Sequence, residues 1–140
     1  MKSLSDVEFT GFAKDNQEVV DLYSEIIGPT LDVNLIVETW RKGAGQVLEP
    51  SCKQSNKVID VQAINMTVKN KDKRIDFTYL QDHSKWAISQ DSFSSMVCVA
   101  DLNRMESQGK RGGGAVCFSS KPVWKAYRNI IDDSNSCPDN

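Results

Sequence analysis

Four cysteines and a single histidine constrain this 140-residue chain more than any other feature. Cys52, Cys98, Cys117 and Cys137 form an even set with no Cys-x-x-Cys pair, and only His83 could join them around a metal. That spacing does not suit zinc, whose structural sites take four Cys and His ligands from closely spaced pairs. Two disulfides fit better, and these belong to an oxidising compartment. A chain of this length forms a single domain, residues 1–140, with room for a real core. At 39% hydrophobic and 26% charged, it has the make-up of a soluble globular protein.

Location follows from the same residues. No run approaches the ~20 apolar residues of a membrane span, so no membrane partner is expected. Met1 to Glu8 lack the apolar core of a signal peptide. That conflicts with disulfides unless the sequence is a piece of a secreted precursor whose signal lies upstream. Asn65-Met66-Thr67 is an N-glycosylation sequon and agrees with secretion, though such triplets are common.

The hydrophobic pattern predicts a mixed α/β domain. Asp15 to Ile27 reads as a helix, capped by Asp15 with Glu18 and stopped by Gly28-Pro29. Strands are expected at Leu31–Arg41, Val58–Val68, Ile75–Leu80, Met96–Leu102 and Ala115–Phe118, where β-branched and aromatic residues recur with a period near two. Ser120 caps a last helix, with Lys121 and Pro122 in its first turn and Val123, Trp124, Tyr127, Ile130 and Ile131 on its buried side. Trp86, Trp124 and Phe118 read as core rather than as platforms for bases.

The third of these strands runs into Asp82-His83-Ser84-Lys85. In an extended segment His83 and Lys85 share a face, so an imidazole and an ammonium could touch one phosphate. Phosphodiester cleavage needs a nucleophile, charge on the non-bridging oxygens and an acid for the leaving oxygen. An imidazole, titrating near ~6.5, can attack phosphorus when neutral and protonate an alkoxide when charged. Asn103 offers an amide donor, and Arg104, Lys110 and Arg111 offer cations. Gly112, Gly113 and Gly114 would let backbone N–H groups approach an anion. Taken singly, a His-x-Lys pair arises by chance, and Lys-Arg before glycines is usually a solvated loop. The net charge of −2 means that any contact with nucleic acid must come from a local patch.

Taken together, these segments resemble the C-terminal half of the deoxyribonuclease II family. The resemblance is carried by Asp82-His83-Ser84-Lys85-Trp86, Ala100-Asp101-Leu102-Asn103-Arg104, Arg111-Gly112-Gly113-Gly114, Cys117 and Pro122-Val123-Trp124-Lys125-Ala126. Upstream, Asp21-Leu22-Tyr23-Ser24 and Val37-Glu38-Thr39-Trp40 resemble it too, so the likeness runs from about Phe9 to Cys137. It departs at Ala100, where the family often has glycine, and at Ala87, where some members carry a further cysteine.

The resemblance implies an α/β, phospholipase D-like mixed sheet flanked by helices, forming one half of a pseudo-dimer. It implies an acid endonuclease of lysosomal or secreted location that needs no metal or other cofactor and leaves 3′-phosphate ends on DNA. It assigns His83 as the active-site histidine, Lys85 as its phosphate-binding partner and Asn103 as the downstream asparagine. It also implies the pairings Cys98–Cys117 and Cys52–Cys137. In the family two similar halves each give one His-x-Lys; one histidine becomes a phosphohistidine and the other serves as acid and then base. This sequence holds one such motif, so the second histidine must come from an N-terminal half or from a second copy related by two-fold symmetry. A relative that grips DNA or other anions without turnover is the alternative, as is a fragment that folds poorly alone.

Overall fold

The computed structural model describes residues 1–3, 6–68 and 73–138. Its strands are β1 (Phe9–Lys14), β2 (Leu35–Glu38), β3 (Val58–Val68), β4 (Lys73–Thr78), β5 (Trp86–Ser89), β6 (Met96–Ala100), β7 (Gly113–Ser119) and β8 (Ile131–Ser134). A π-helical turn, Leu22–Ile27, continues into α1 (Gly28–Leu31); α2 (Glu106–Gly109) is short, and α3 (Lys121–Ile130) is the long helix. The strands form one mixed, mostly antiparallel sheet in the order β1-β7-β6-β5-β2-β3-β4. Among the described residues only β2 and β3 run parallel, bridged by the excursion through residues 39–57. Beyond the point where β2 leaves β3, β8 takes over the pairing.

The sheet is buried on both faces because its central strands are apolar on both. In β2, Leu35 and Val37 enter one core while Ile36 enters the other. The first core gathers Leu22, Tyr23 and Ile27 of the π-helical turn over Leu35, Val37, Val58 and Ala87. The second sets Val123, Trp124, Tyr127 and Ile130 of α3 on Trp86, Ile88 and Val97. Trp86 is accordingly buried and packs against Tyr127, with ring centroids 4.8 Å apart.

Several expectations are met. β3 has the bounds that its β-branched run predicts, and α3 starts after Ser120 with Pro122 in its first turn and Val123, Trp124, Tyr127 and Ile130 inward. The Ser120 side chain makes no capping bond, however, and Ile131 opens β8 instead of ending the helix. Both disulfide pairings are present. Cys98 and Cys117 are register partners on β6 and β7, and Cys52 reaches Cys137 across 85 residues. Loop entropy makes the longer bridge the stronger constraint on the unfolded chain. Cys52→Ser with Cys137→Ser is expected to lower stability by about 4.5 kcal/mol, against about 3 kcal/mol for the Cys98–Cys117 pair, in equilibrium urea unfolding.

Other expectations are corrected. The helix does not start at Asp15, which instead accepts local hydrogen bonds from the N–H groups of Gln17 and Glu18. Its true cap is Asp21, which accepts from Tyr23 N–H, while Glu25 reaches back to accept from Asp21 N–H. The cause is visible at Val19, 62% exposed: the first apolar residues of the segment do not reach the core. Gly28-Pro29 does not end the helix either. Pro29 sits in the first turn of α1, where its missing N–H costs nothing, and the chain turns at Asp32 with φ 52°. Leu31 therefore belongs to a helix and the strand begins at Leu35.

β4 ends at Thr78, and a turn at Tyr79–Gln81 separates it from Asp82. β6 stops at Ala100, and β7 begins already at Gly113. Strands β1, β5 and β8 escape the sequence pattern: each has six residues or fewer, and β1 and β8 are poor in buried apolar residues. Among the described residues no helix is long and apolar enough to cross a membrane.

Candidate active site at one end of the sheet

Strand direction gathers the predicted residues. Glu38 pairs with Trp86, Trp86 with Val99 and Val99 with Val116, each across an antiparallel ladder. The chain leaving β2 (Thr39–Arg41), entering β5 (Asp82–Lys85), leaving β6 (Asp101–Arg104) and entering β7 (Lys110–Gly112) thus meets at one end of the sheet. Residues far apart in sequence become neighbours through topology alone.

His83 lies in the irregular stretch Asp82–Lys85 and is exposed. Its ring stacks on Trp40, with centroids 4.3 Å apart and planes at 24°. The Trp40 indole N–H in turn donates to Leu80 O at 3.1 Å, bracing the turn ahead of His83. Asp82 accepts from Ser84 N–H at 2.8 Å, and the Lys85 ammonium donates to His83 O at 2.7 Å. Lys85 O accepts from Ala100 N–H, which ties the segment to β6. Asn103 is partly buried, and its side-chain oxygen has no hydrogen-bond partner among the described residues.

Beneath this surface lies a buried ionic network. Arg104 is 1% exposed and donates to Asp21 at 3.0 Å, to Asp60 at 2.6 Å, and to Glu49 O and Ser51 Oγ. Its backbone N–H donates to Thr39 Oγ1. Arg41 is also buried: it lies 3.6 Å from the other Asp60 oxygen, donates to Val61 O and covers the Tyr79 ring. Glu38 is fully buried, with neither carboxylate oxygen hydrogen-bonded among the described residues. Burial first, and then the negative charge of Asp82, pushes the Glu38 carboxyl up to about 8, against the opposing pull of Arg41. With Glu38 protonated, two carboxylates face two guanidinium groups and the network is balanced.

The residues expected to grip phosphate separate into two groups. Lys110, Arg111 and Gly112 are exposed. Their loop is held by Lys14, whose ammonium donates to Gly109 O, Arg111 O and Asp15 O. Arg104 and Gly113 are placed differently from the expectation. Arg104 points inward, and its guanidinium is occupied by Asp21, Asp60, Glu49 and Ser51. Gly113 is a strand residue of β7 whose added Cβ would lie 2.6 Å from Asp101 Oδ1 and 2.7 Å from Leu102 Cγ. Gly114 is pressed against Phe12 O, and its N–H donates to Asp101 Oδ1. Two of the three glycines thus serve strand packing, and only Gly112 belongs to the exposed loop.

A depression of about 600 Å³ is lined in part by Arg104 and does not include His83. Its wall carries Asp21, Glu25, Glu49 and Glu106 against Arg104 and Lys110, which suits a polyanion poorly. The end of the sheet around His83 is the better candidate. Sequence reasoning missed Glu38 and Trp40, although the Val37-Glu38-Thr39-Trp40 segment had marked them as shared with a family. Among the described residues no cluster of three or more His, Cys, Asp or Glu is arranged to hold a metal ion.

The structure is thus an α/β domain with two disulfides and an exposed His83 close to Lys85 at one end of its sheet. Comparison with known proteins gives the family. The Deoxyribonuclease II profile matches residues 1–137, and the chain belongs to that family. It is 39% identical over 137 residues to Deoxyribonuclease-2 of Caenorhabditis elegans, covering 98% of this chain and 34% of that protein. It is 32% identical to Deoxyribonuclease-2-alpha of Mus musculus, covering 98% and 37%, and 32% identical to Plancitoxin-1 of Acanthaster planci over the same shares. The chain thus spans about a third of the length of these relatives.

Proposed function

We propose that this chain is the C-terminal half of a deoxyribonuclease II-type acid endonuclease, one half of a phospholipase D-like pseudo-dimer. The observation that carries the reading is the exposed His83, oriented against Trp40 in a segment that also holds Lys85, in a chain belonging to this family. A ring nitrogen of His83 attacks the phosphorus of a DNA phosphodiester. The P–O5′ bond breaks and the phosphoryl group, still esterified at O3′, becomes bonded to the histidine. A second histidine, from an N-terminal half or a second copy, protonates O5′ and then activates the water that hydrolyses the P–N bond, leaving a 3′-phosphate. Lys85 and Asn103 stabilise the charge on the non-bridging oxygens. Lysosomal or secreted location, with the signal supplied upstream and a glycan at Asn65, completes the proposal; Thr67 of that sequon is exposed on β3.

Nicking of supercoiled plasmid at pH ~5 in EDTA tests it, a range in which an imidazole can serve both roles. If two copies form the site, activity per chain rises with chain concentration and vanishes in His83→Ala. A well-folded chain that does not nick at any concentration, alone or with an N-terminal half, would contradict the nuclease reading. The single histidine favours a second reading, that of an anion-binding relative without turnover. DNA binding that weakens steeply with salt while the DNA stays intact would select it. In either case Lys110→Ala with Arg111→Ala is expected to lower the slope of log affinity against log salt by about 2, since each lost contact with a duplex phosphate removes about 0.9.

A further inference from the structure

The backbone does little to hold the His83 ring. Asp82–Lys85 lies outside any strand, and the side chain is exposed. An exposed side chain normally samples several rotamers, and a nucleophile so placed would spend little time aimed at phosphorus. What His83 does touch is Trp40, and Trp40 is itself fixed. Its neighbour Thr39 is buried and accepts from Arg104 N–H, its neighbour Arg41 is buried and ion-paired with Asp60, and its own indole N–H is bonded to Leu80 O. A braced indole therefore lies against the His83 ring, whose side chain makes no hydrogen bond among the described residues.

We propose that Trp40 is the positioning residue of His83. Stacking suits the chemistry because the nitrogen lone pair that attacks phosphorus lies in the plane of the imidazole. The indole covers one face and leaves the reacting edge open. The indole π face also attracts the ring once it carries positive charge, as it does when bonded to phosphorus. The inference rests on the nuclease reading for its use, but the positioning itself can be read without DNA.

His83 is the one histidine of the chain, so its two carbon-bound ring protons are unambiguous in a proton NMR spectrum. In the wild type both are expected upfield of their free-imidazole positions, because they lie in the ring current of the indole. In Trp40→Ala the displacement is lost, and in Trp40→Phe part of it remains. In the assembled form that cleaves DNA, Trp40→Ala is expected to lower kcat by about 10- to 100-fold with KM nearly unchanged, the cost of a misaimed reactive group. Trp40→Phe, which keeps a stacking ring and covers the case of an alanine variant that fails to fold, is expected to retain most of kcat. Undisplaced His83 resonances in the wild type would overturn the proposal, as would full kcat in a folded Trp40→Ala. A wild type that shows the displacement yet never cleaves DNA would count against the nuclease reading and leave the positioning of the ring standing.

Discussion

Raising the pH from 4.5 to 8 is expected to destabilise this protein, and Glu38→Gln to remove most of that loss. Glu38 is fully buried, and its carboxyl is held at about 8 in the folded state against an ordinary 4.5. Between those values the folded protein keeps a proton that the unfolded chain has released. Folding therefore takes up a proton, and stability falls as the pH rises through this window. Below 4.5 both states are protonated and the stabilisation is fully present; above about 8 both have lost the proton and it is gone. The difference of pKa corresponds to roughly 3–5 kcal/mol across the window. Urea midpoints of wild type and Glu38→Gln at pH 5 and pH 8 read the effect. The variant is expected to lie near wild type in acid and well above it at pH 8. Equal pH dependence in the two proteins would show that Glu38 is not the group responsible. This one group therefore favours the folded state in acid, the condition in which the proposed reaction runs.

Arg104→Met is expected to lower stability by about 3–5 kcal/mol. The guanidinium is the shared partner of Asp21 and Asp60, whose side chains are 8% and 1% exposed. Removing it leaves two carboxylates desolvated, with Arg41 at 3.6 Å as the remaining cation beside Asp60. Breaking a buried pair costs far more than an exposed one, because the orphaned charge cannot recover its water. Arg104→Lys should restore little, since one ammonium cannot span Asp21, Asp60, Glu49 O and Ser51 Oγ as the planar guanidinium does. Equilibrium urea unfolding at pH 5 measures the loss. The salt dependence of DNA binding by the folded fraction should be unchanged, unlike that of the Lys110 and Arg111 variants.

These two residues also show where the sequence was legible and where it was not. Val58–Val68 and Lys121–Ile130 are long and strongly periodic, so their apolar faces were readable from spacing alone. His83, Lys85 and Asn103 stood out because their residue types carry chemistry and their segments resemble a family. Arg104 was misread because an arginine after Asp101-Leu102-Asn103 looks solvated until Asp60 and Asp21, 44 and 83 residues away, are folded around it. Glu38 and Trp40 were hidden for the same reason: the partners that give them meaning, Asp82 and His83, arrive only when β5 pairs with β2. The glycine run misled in another way. A glycine that lets a phosphate approach and one that lets Phe12 O approach are indistinguishable until the neighbouring strand is in place.

The central claim is that His83 is the nucleophile, and the most direct measurement is to trap its adduct. A 5′-end-labelled or internally labelled DNA would be incubated at pH ~5 with the chain and its complementary half or second copy, denatured at alkaline pH to preserve the acid-labile P–N bond, and digested to peptides. A phosphoramidate is expected on the peptide containing His83, carrying the DNA fragment through its 3′-phosphate, and none in His83→Ala. Cleavage at the wild-type rate by His83→Ala, or an adduct on another residue of this chain, would contradict it.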